Sequence, residues 1–463
     1  MLLVLALIFL LAHCLPVLAV ALMRPAGLRR DVFAPLYMAT ALQLLNVPYL
    51  LLLGLDRSYL SPEAVQSPWL QDLVPAVAGY VAVASVGFLA LVAGMFSPLG
   101  PALARPIPRL DPARFTAGRV YRAILITAVG GAAAYMSFLA QIGGLSRLWI
   151  TLYNRQLITA GTSYITAVYT LLFTFLGVLL AYSLRFRMTR LRRGVVIVGM
   201  LGVAVVLSST GGRSGAIMAI LFALMTVHYG VKRFRRLVTP WTAALGAVLF
   251  VFIVVMPLFR GYSSYERYQG RPDLLVSDAV RNVGKVAPQF SGADRGMVIV
   301  RYFRIDRLWW GASYLDLLTA PIPRTRMPDK PPVDEGVYLA AILAGREVRP
   351  SMPARLLPIS SQPMGTWIMY MNFGLPGWIA AMFLTGAVIT AAYRYMQRCG
   401  YTPNAVYLYG YVVMNGFAFS NLGLVFFLIT VVFTAAVFWV LFGRKLPALR
   451  PAAGAAAPLP SPG

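Results

Sequence analysis

Residues 73–95 read LVPAVAGYVAVASVGFLALVAGM, twenty-three positions in a row without a charged side chain. A helix rises about 1.5 Å per residue, so about 20 residues cross a bilayer core about 30 Å thick. Hydrocarbon offers no water to backbone N–H and C=O groups, so such a run is predicted to be a membrane-spanning helix. Working outward, comparable runs fall at about 2–23, 32–55, 123–142, 165–184, 195–210, 215–231, 240–259, 373–393, 403–419 and 424–442. The expected fold is an all-α polytopic membrane protein of about eleven transmembrane helices. Residues 1–259 hold the first eight spans and 373–442 the last three. Between them lies one large helical loop, 260–372, and residues 443–463 form a Pro/Ala-rich tail expected to be disordered.

Composition agrees. Hydrophobic residues make up 59% of the 463-residue chain and charged residues 12%, against about 25% in soluble domains. Mean hydropathy is +0.72. Met1–Leu22 resembles a secretory signal, but it has no positive charge ahead of the apolar run, and Arg24, Arg29 and Arg30 follow it. That polarity predicts an uncleaved first span with its N-terminus outside.

The net charge is +26, and Lys232, Lys285, Lys330 and Lys445 are the only lysines among 41 basic residues. Two readings of this bias stand: a GC-rich genome, or a preference for forked donors that match phosphate. Short connections on one side of the predicted membrane carry 22 positive charges; those on the other side carry only Arg57, Arg147, Arg155 and Arg213. The positive-inside rule places the first set, and the C-terminus, in the cytoplasm. The long loop 260–372 then lies outside, with 10 of the 15 acidic residues. Cys14 and Cys399 form no disulfide framework or zinc spacing, and His13 and His228 stand far apart, so a metal site or a His-based triad is not expected. Nothing points to nucleic acid.

Within the loop, Val298, Tyr302, Ile305 and Trp309 recur at helical spacing, with Arg301, Arg304 and Arg307 on the opposite arc. This predicts a basic amphipathic helix lying on the membrane surface. A second helix is predicted from Asp334 to Ala344, with acids in its first turn and Gly345 as its stop. Prolines 321, 323, 328, 331 and 332 predict a stiff, extended connection between the two.

Three constellations bear on chemistry. The first is Ser208-Ser209-Thr210-Gly211-Gly212-Arg213-Ser214-Gly215, at a tight outside turn between two spans. Ser214 is expected to N-cap the following helix, whose free N–H groups and positive dipole end then face outward. With Arg213 as a bidentate donor this makes a pyrophosphate cradle; the alternative is a small-residue hairpin with an arginine anchored at the headgroups. The second is the basic set Arg260, Arg301, Arg304, Arg307, Arg324, Arg326 and Lys330, which draws a phosphorylated lipid or simply adheres to anionic headgroups. The third is Asp329, Asp334 and Glu335. One of them is a candidate general base toward a sugar hydroxyl; the alternatives are helix N-terminal charges and a surface ion pair.

The run Trp309-Trp310-Gly311-Ala312-Ser313-Tyr314-Leu315, then Pro321-Ile322-Pro323-Arg324, then Met327-Pro328-Asp329-Lys330-Pro331 resembles the large outer loop of oligosaccharide repeat-unit polymerases, the Wzy-type O-antigen and capsule polymerases. Met371-Asn372-Phe373-Gly374-Leu375-Pro376-Gly377-Trp378 resembles that family's Asn-Phe-Gly start of the next span. The turn at Gly211–Gly215, and Gly143-Gly144-Leu145 followed by Arg155, are also similar to theirs. The resemblance implies a GT-C-like membrane glycosyltransferase that needs no metal or cofactor. It implies undecaprenyl-pyrophosphate-linked glycans as substrates on the outer face of the cytoplasmic membrane, with a flippase and a chain-length regulator as partners. Arg155, Arg213, Ser214 and Asn372 are then expected at the substrate, with Arg155 facing the same cavity as Arg213. Competing readings are an O-antigen ligase, which transfers a finished glycan to lipid A core or protein, a lipid-linked oligosaccharide flippase, and a non-catalytic scaffold. The flippase reading predicts internal repeats and charged residues inside spans. No repeat is evident, and the predicted spans hold no Asp or Glu.

Overall fold

The computed structural model describes residues 1–23, 31–150, 162–209, 213–234, 240–255, 258, 267–320, 322, 326–351, 360–361, 365–417 and 419–443, with backbone only at some helical positions, Arg213 and Ser214 among them. The described residues are helical, with no strands. Along the chain the main helices are α1 (Leu2–Met23), α2 (Pro35–Leu44), α3 (Asn46–Leu55), α4 (Leu73–Phe96), α5 (Ala117–Ile142), α6 (Ser163–Ser183), α7 (Arg190–Ser208), α8 (Arg213–Gly230) and α9 (Pro240–Val255). Four loop helices follow: α10 (Pro272–Phe290), α11 (Ala293–Tyr302), α12 (Ala312–Thr319) and α13 (Glu335–Leu343). The chain then returns through α14 (Trp367–Arg398), α15 (Pro403–Asn415) and α16 (Asn421–Phe442).

Eight helical segments among the described residues are long and apolar enough to cross a membrane, the α2–α3 pair counting as one. Shorter helices α8, α9 and α15, of 18, 16 and 13 residues, occupy the other three predicted positions. The protein is therefore a polytopic helical membrane protein. Many side chains on its spans face outward as bare hydrocarbon, among them Leu11, Val129, Val198, Val251 and Val440.

The centre of the molecule is the pair α4 and α14. Glycines let their backbones touch: a Cβ on Gly94 would stand 1.9 Å from the Phe383 carbonyl oxygen, and one on Gly386 would stand 2.0 Å from that of Leu91. Where lipid supplies no hydrophobic drive between helices, such small-residue contacts hold spans together. Across the same seam the Trp378 indole N–H donates to the Val83 carbonyl at 3.0 Å, and the Thr390 hydroxyl to that of Met95 at 3.0 Å. A second core of α5, α6, α7 and α8 packs through Phe138, Tyr169, Phe173 and Leu207, and α15 bridges the two cores, with Tyr407 set edge-on to Phe222.

The loop helices pack on this frame and correct one expectation. The helix predicted across Val298–Trp309 stops at Tyr302, where Phe303 and Arg304 turn extended. Val298, Tyr302 and Trp309 are buried within the protein, and Ile305 is 83% exposed. So α11 is not a helix lying on the membrane surface. It is wedged against α4, with Gly296 on the Tyr80 ring. The second predicted helix forms as α13. Asp334 caps it by accepting the Gly336 N–H at 2.8 Å, and Gly345 takes φ +81° beyond its end.

Candidate functional site

Two motif stretches of the sequence, 309–315 and 371–378, meet at a break in α14. Gly374 sits at φ 64°, ψ −154°, a conformation only glycine adopts readily, and Pro376 follows. Proline has no N–H, so the Asn372 carbonyl has no helical partner, and the break also frees that of Met371. The chain at Trp309–Trp310 fills both: the Trp309 N–H donates to Met371 O at 3.1 Å and the Trp310 N–H to Asn372 O at 2.9 Å. The Asn372 side chain completes the joint. Its Oδ1 accepts from the Gly311 N–H at 3.0 Å and the Ser313 hydroxyl at 3.1 Å, and its Nδ2 reaches Ser313 Oγ at 2.9 Å and Ile368 O at 3.0 Å. Asn372 is fully buried with all its hydrogen-bonding capacity in use. It positions the loop on the span and has nothing left for the substrate contact expected of it.

Two buried carboxylates stand on the helices joined to it, Asp316 and Glu335. Asp316 on α12 accepts from the Tyr338 hydroxyl at 2.9 Å and the Ser351 hydroxyl at 2.7 Å. Glu335, the first residue of α13, accepts the Asn421 backbone N–H at 2.7 Å, at the start of α16. The Asn421 side chain donates in turn to Ser313 O at 2.6 Å. Burial pushes the Glu335 carboxyl up to about 7, aided by repulsion from Asp334 and Asp316 and opposed by the Asn421 amide. A carboxyl that titrates near neutrality takes up and releases protons at working pH. Asp334 caps α13, and Asp329 is exposed in a turn. Of the three candidate bases, Glu335 is the buried one.

The cations fall into three groups. Arg301 is half-buried, and Arg304 and Arg326 are exposed; none has an acidic partner among the described residues. Arg307 pairs with Glu347 at 3.1 Å and lies over the Trp69 and Tyr302 rings. Lys330 donates to the Ala320 and Ile322 carbonyls at 2.7 and 2.9 Å, closing the proline-rich turn on itself, which gives its ammonium a structural task where substrate binding was expected. Arg155, Arg260 and Arg324 lie outside the described residues. Helix α8 starts at Arg213 itself, so Ser214 falls inside the first turn and is not the N-cap. Arginine is a good helix former and takes the first helical position.

Two further buried acids were not singled out in the sequence. Asp294 accepts from the Tyr49 hydroxyl and the Ser61 N–H, and its burial raises its pKa. Asp31, at the other end of the spans, accepts from the Tyr229 hydroxyl at 3.0 Å, the Tyr393 hydroxyl at 2.6 Å and the Phe33 N–H at 3.1 Å. His228 Nε2 lies 3.3 Å and Arg233 3.6 Å from the same carboxylate. Burial would raise the Asp31 pKa, but bonds from His228, Tyr393 and Tyr229 together hold it below the usual range. Every partner of Asp31 is part of the fold, so this cluster reads as a brace.

No family profile, curated protein or solved structure matches the chain.

Proposed function

We propose that the protein is a membrane glycosyltransferase that polymerises undecaprenyl-pyrophosphate-linked oligosaccharide repeat units at the outer face of the cytoplasmic membrane. The reading starts from the sequence resemblance. The observation that carries it further is the joint at Asn372, which binds the loop motif 309–315 to the span motif 371–378 and is linked through Ser313 and Asn421 to the buried carboxyl of Glu335. Motifs far apart in sequence thus form one built feature of the loop.

In this reaction a hydroxyl of the incoming repeat unit attacks the anomeric carbon of the growing chain. The bond from that carbon to the pyrophosphate oxygen breaks, and undecaprenyl pyrophosphate leaves with the electron pair. The hydroxyl proton passes to a base. Glu335 suits that role by its proton affinity near neutral pH. Arg213 heads α8, whose N-terminal dipole end favours a phosphate. Arg301, Arg304 and Arg326, without an acidic partner among the described residues, can meet the leaving charge.

The test is glycan length in cells. Arg213→Ala should reach the membrane at normal levels yet leave single repeat units, because one such donor contributes about 100–1,000-fold in rate. Arg213→Lys keeps the charge, loses the fork and should also be poor. Long chains from Arg213→Ala would refute its role in the reaction.

A further inference from the structure

Helix α12 is built inside out. A helix in water buries its apolar face and shows its polar one. On α12 the polar residues Ser313 and Asp316 are buried, at 0% and 1% exposure, while Leu315 and Leu318 on the opposite arc are 57% and 75% exposed. The buried polar groups are satisfied, Ser313 by Asn372 and Asp316 by Tyr338 and Ser351. The apolar face is left without protein cover. Trp310, 65% exposed, and Ile322 extend it at either end. Trp310 is also held at φ 51°, an unfavourable conformation for a bulky residue, by its N–H bond to Asn372 O.

The position of α12 says what covers that face. Its Tyr314 hydroxyl donates to Phe419 O at 2.9 Å, and Asn421 Nδ2 reaches Ser313 O, so α12 is strapped to the first turn of α16. Trp310 is bonded at Asn372, where the apolar stretch of α14 begins. Both anchors lie at the N-terminal ends of long apolar helices, and α16 continues with Leu428, Val432 and Val440 uncovered by protein. The uncovered face of α12 therefore continues the lipid-facing surface of the spans. A tryptophan flanking such a face is the usual headgroup-level anchor.

We propose that α12 lies in the membrane interface at the N-terminal ends of α14 and α16, with Leu315 and Leu318 in the acyl region and Trp310 among the headgroups. The occupant of this face is bilayer lipid. The consequence is positional: Asp316 and Glu335 sit directly behind a membrane-embedded helix, at the depth of lipid phosphates, and this part of the loop does not project into water. The inference rests on membrane embedding and does not require the proposed reaction.

The test uses the full chain in vesicles of phosphatidylethanolamine and phosphatidylglycerol. Spin labels on Leu315→Cys, Leu318→Cys and Asp306→Cys, read against the unaltered two-cysteine chain as background, report collision with oxygen or with a water-soluble nickel chelate. Labels at 315 and 318 should meet oxygen and be shielded from nickel, and the label at 306 should show the reverse. Nickel access at 318 equal to that at 306 would place α12 in water and overturn the proposal. Shielding from both reagents would mean that protein covers the face, and would overturn it too. The unsubstituted chain gives a second reading that no folding defect can blur: phosphatidylglycerol with a diazirine in its acyl chain should tag 310–322 on illumination and spare 303–308. Equal tagging of the two peptides, or none on 310–322, would contradict the assignment.

Discussion

Replacing Asn372 with alanine should destabilise the protein before any substrate is present. The side chain makes four hydrogen bonds at 2.9–3.1 Å, inside a site that water does not reach. Ile368 O keeps its ordinary helical partner after truncation, so its loss is small. The Gly311 N–H and the Ser313 hydroxyl lose their acceptor at this joint. Each buried group left unsatisfied costs about 1–3 kcal/mol, which puts Asn372→Ala at about 2–5 kcal/mol. Asn372→Asp keeps the acceptor for Gly311 but loses both donors and buries a charge, so it should be at least as damaging. The assay is thermal unfolding of the purified protein in detergent, with limited proteolysis of the loop alongside. Both variants should unfold earlier and be cut sooner between 303 and 335. If Asn372→Ala keeps the parental midpoint and protease resistance, the joint does not hold the loop, and a substrate-contacting role for Asn372 would regain its place.

Further predictions follow from other buried groups. Glu335 has a folded pKa of about 7 against an ordinary 4.5, so the folded state retains a proton that the unfolded chain releases. Stability should fall between those two pH values by about 3 kcal/mol; Glu335→Gln should flatten that slope when unfolding is followed from pH 4.5 to 8, and as the proposed base it should also slow turnover by about 100-fold or more. Asp31 is shifted the other way, so its contribution is present above the ordinary carboxylate pKa and lost as pH falls through the lower folded value. Asp31→Ala strands the Tyr229 and Tyr393 hydroxyls and should cost about 3–5 kcal/mol at neutral pH, read as a lower unfolding midpoint. Gly94→Ala or Gly386→Ala puts a methyl into backbone 1.9–2.0 Å away and should lower membrane yield and thermal midpoint, by about 1–3 kcal/mol or more; an unchanged midpoint would mean that α4 and α14 are not in backbone contact.

How far the sequence led depends on how local the cause is. A run such as 73–95 has only one stable form in hydrocarbon, so the spans were legible. So was α13, because its start and stop signals, Asp334 and Gly345, lie beside it. The helix over 298–309 was misread for a physical reason. The spacing of Val298, Tyr302, Ile305 and Trp309 fits one face, but Trp309 is buried by the chain's return to Met371, not by helical continuity. Asp316 was passed over because its partners, Tyr338 and Ser351, lie 22 and 35 residues further on. Asp31 was missed for the same reason, with partners 198 and 362 residues away. The inverted polarity of α12 leaves a faint trace in sequence: Ser313 and Asp316 share one face and Leu315 and Leu318 the other. Which face turns inward is decided only by packing.

The central claim is transfer between two lipid-linked glycans, and purified protein tests it most directly. The protein is placed in vesicles with undecaprenyl-pyrophosphate-linked repeat units extracted from the cells that make it, with no other enzyme added. The account predicts a ladder of lengthening lipid-linked chains, one undecaprenyl pyrophosphate released per step, and loss of both with Arg213→Ala. Repeat units that stay at unit length with no pyrophosphate carrier released, from protein that is folded and inserted, would contradict it.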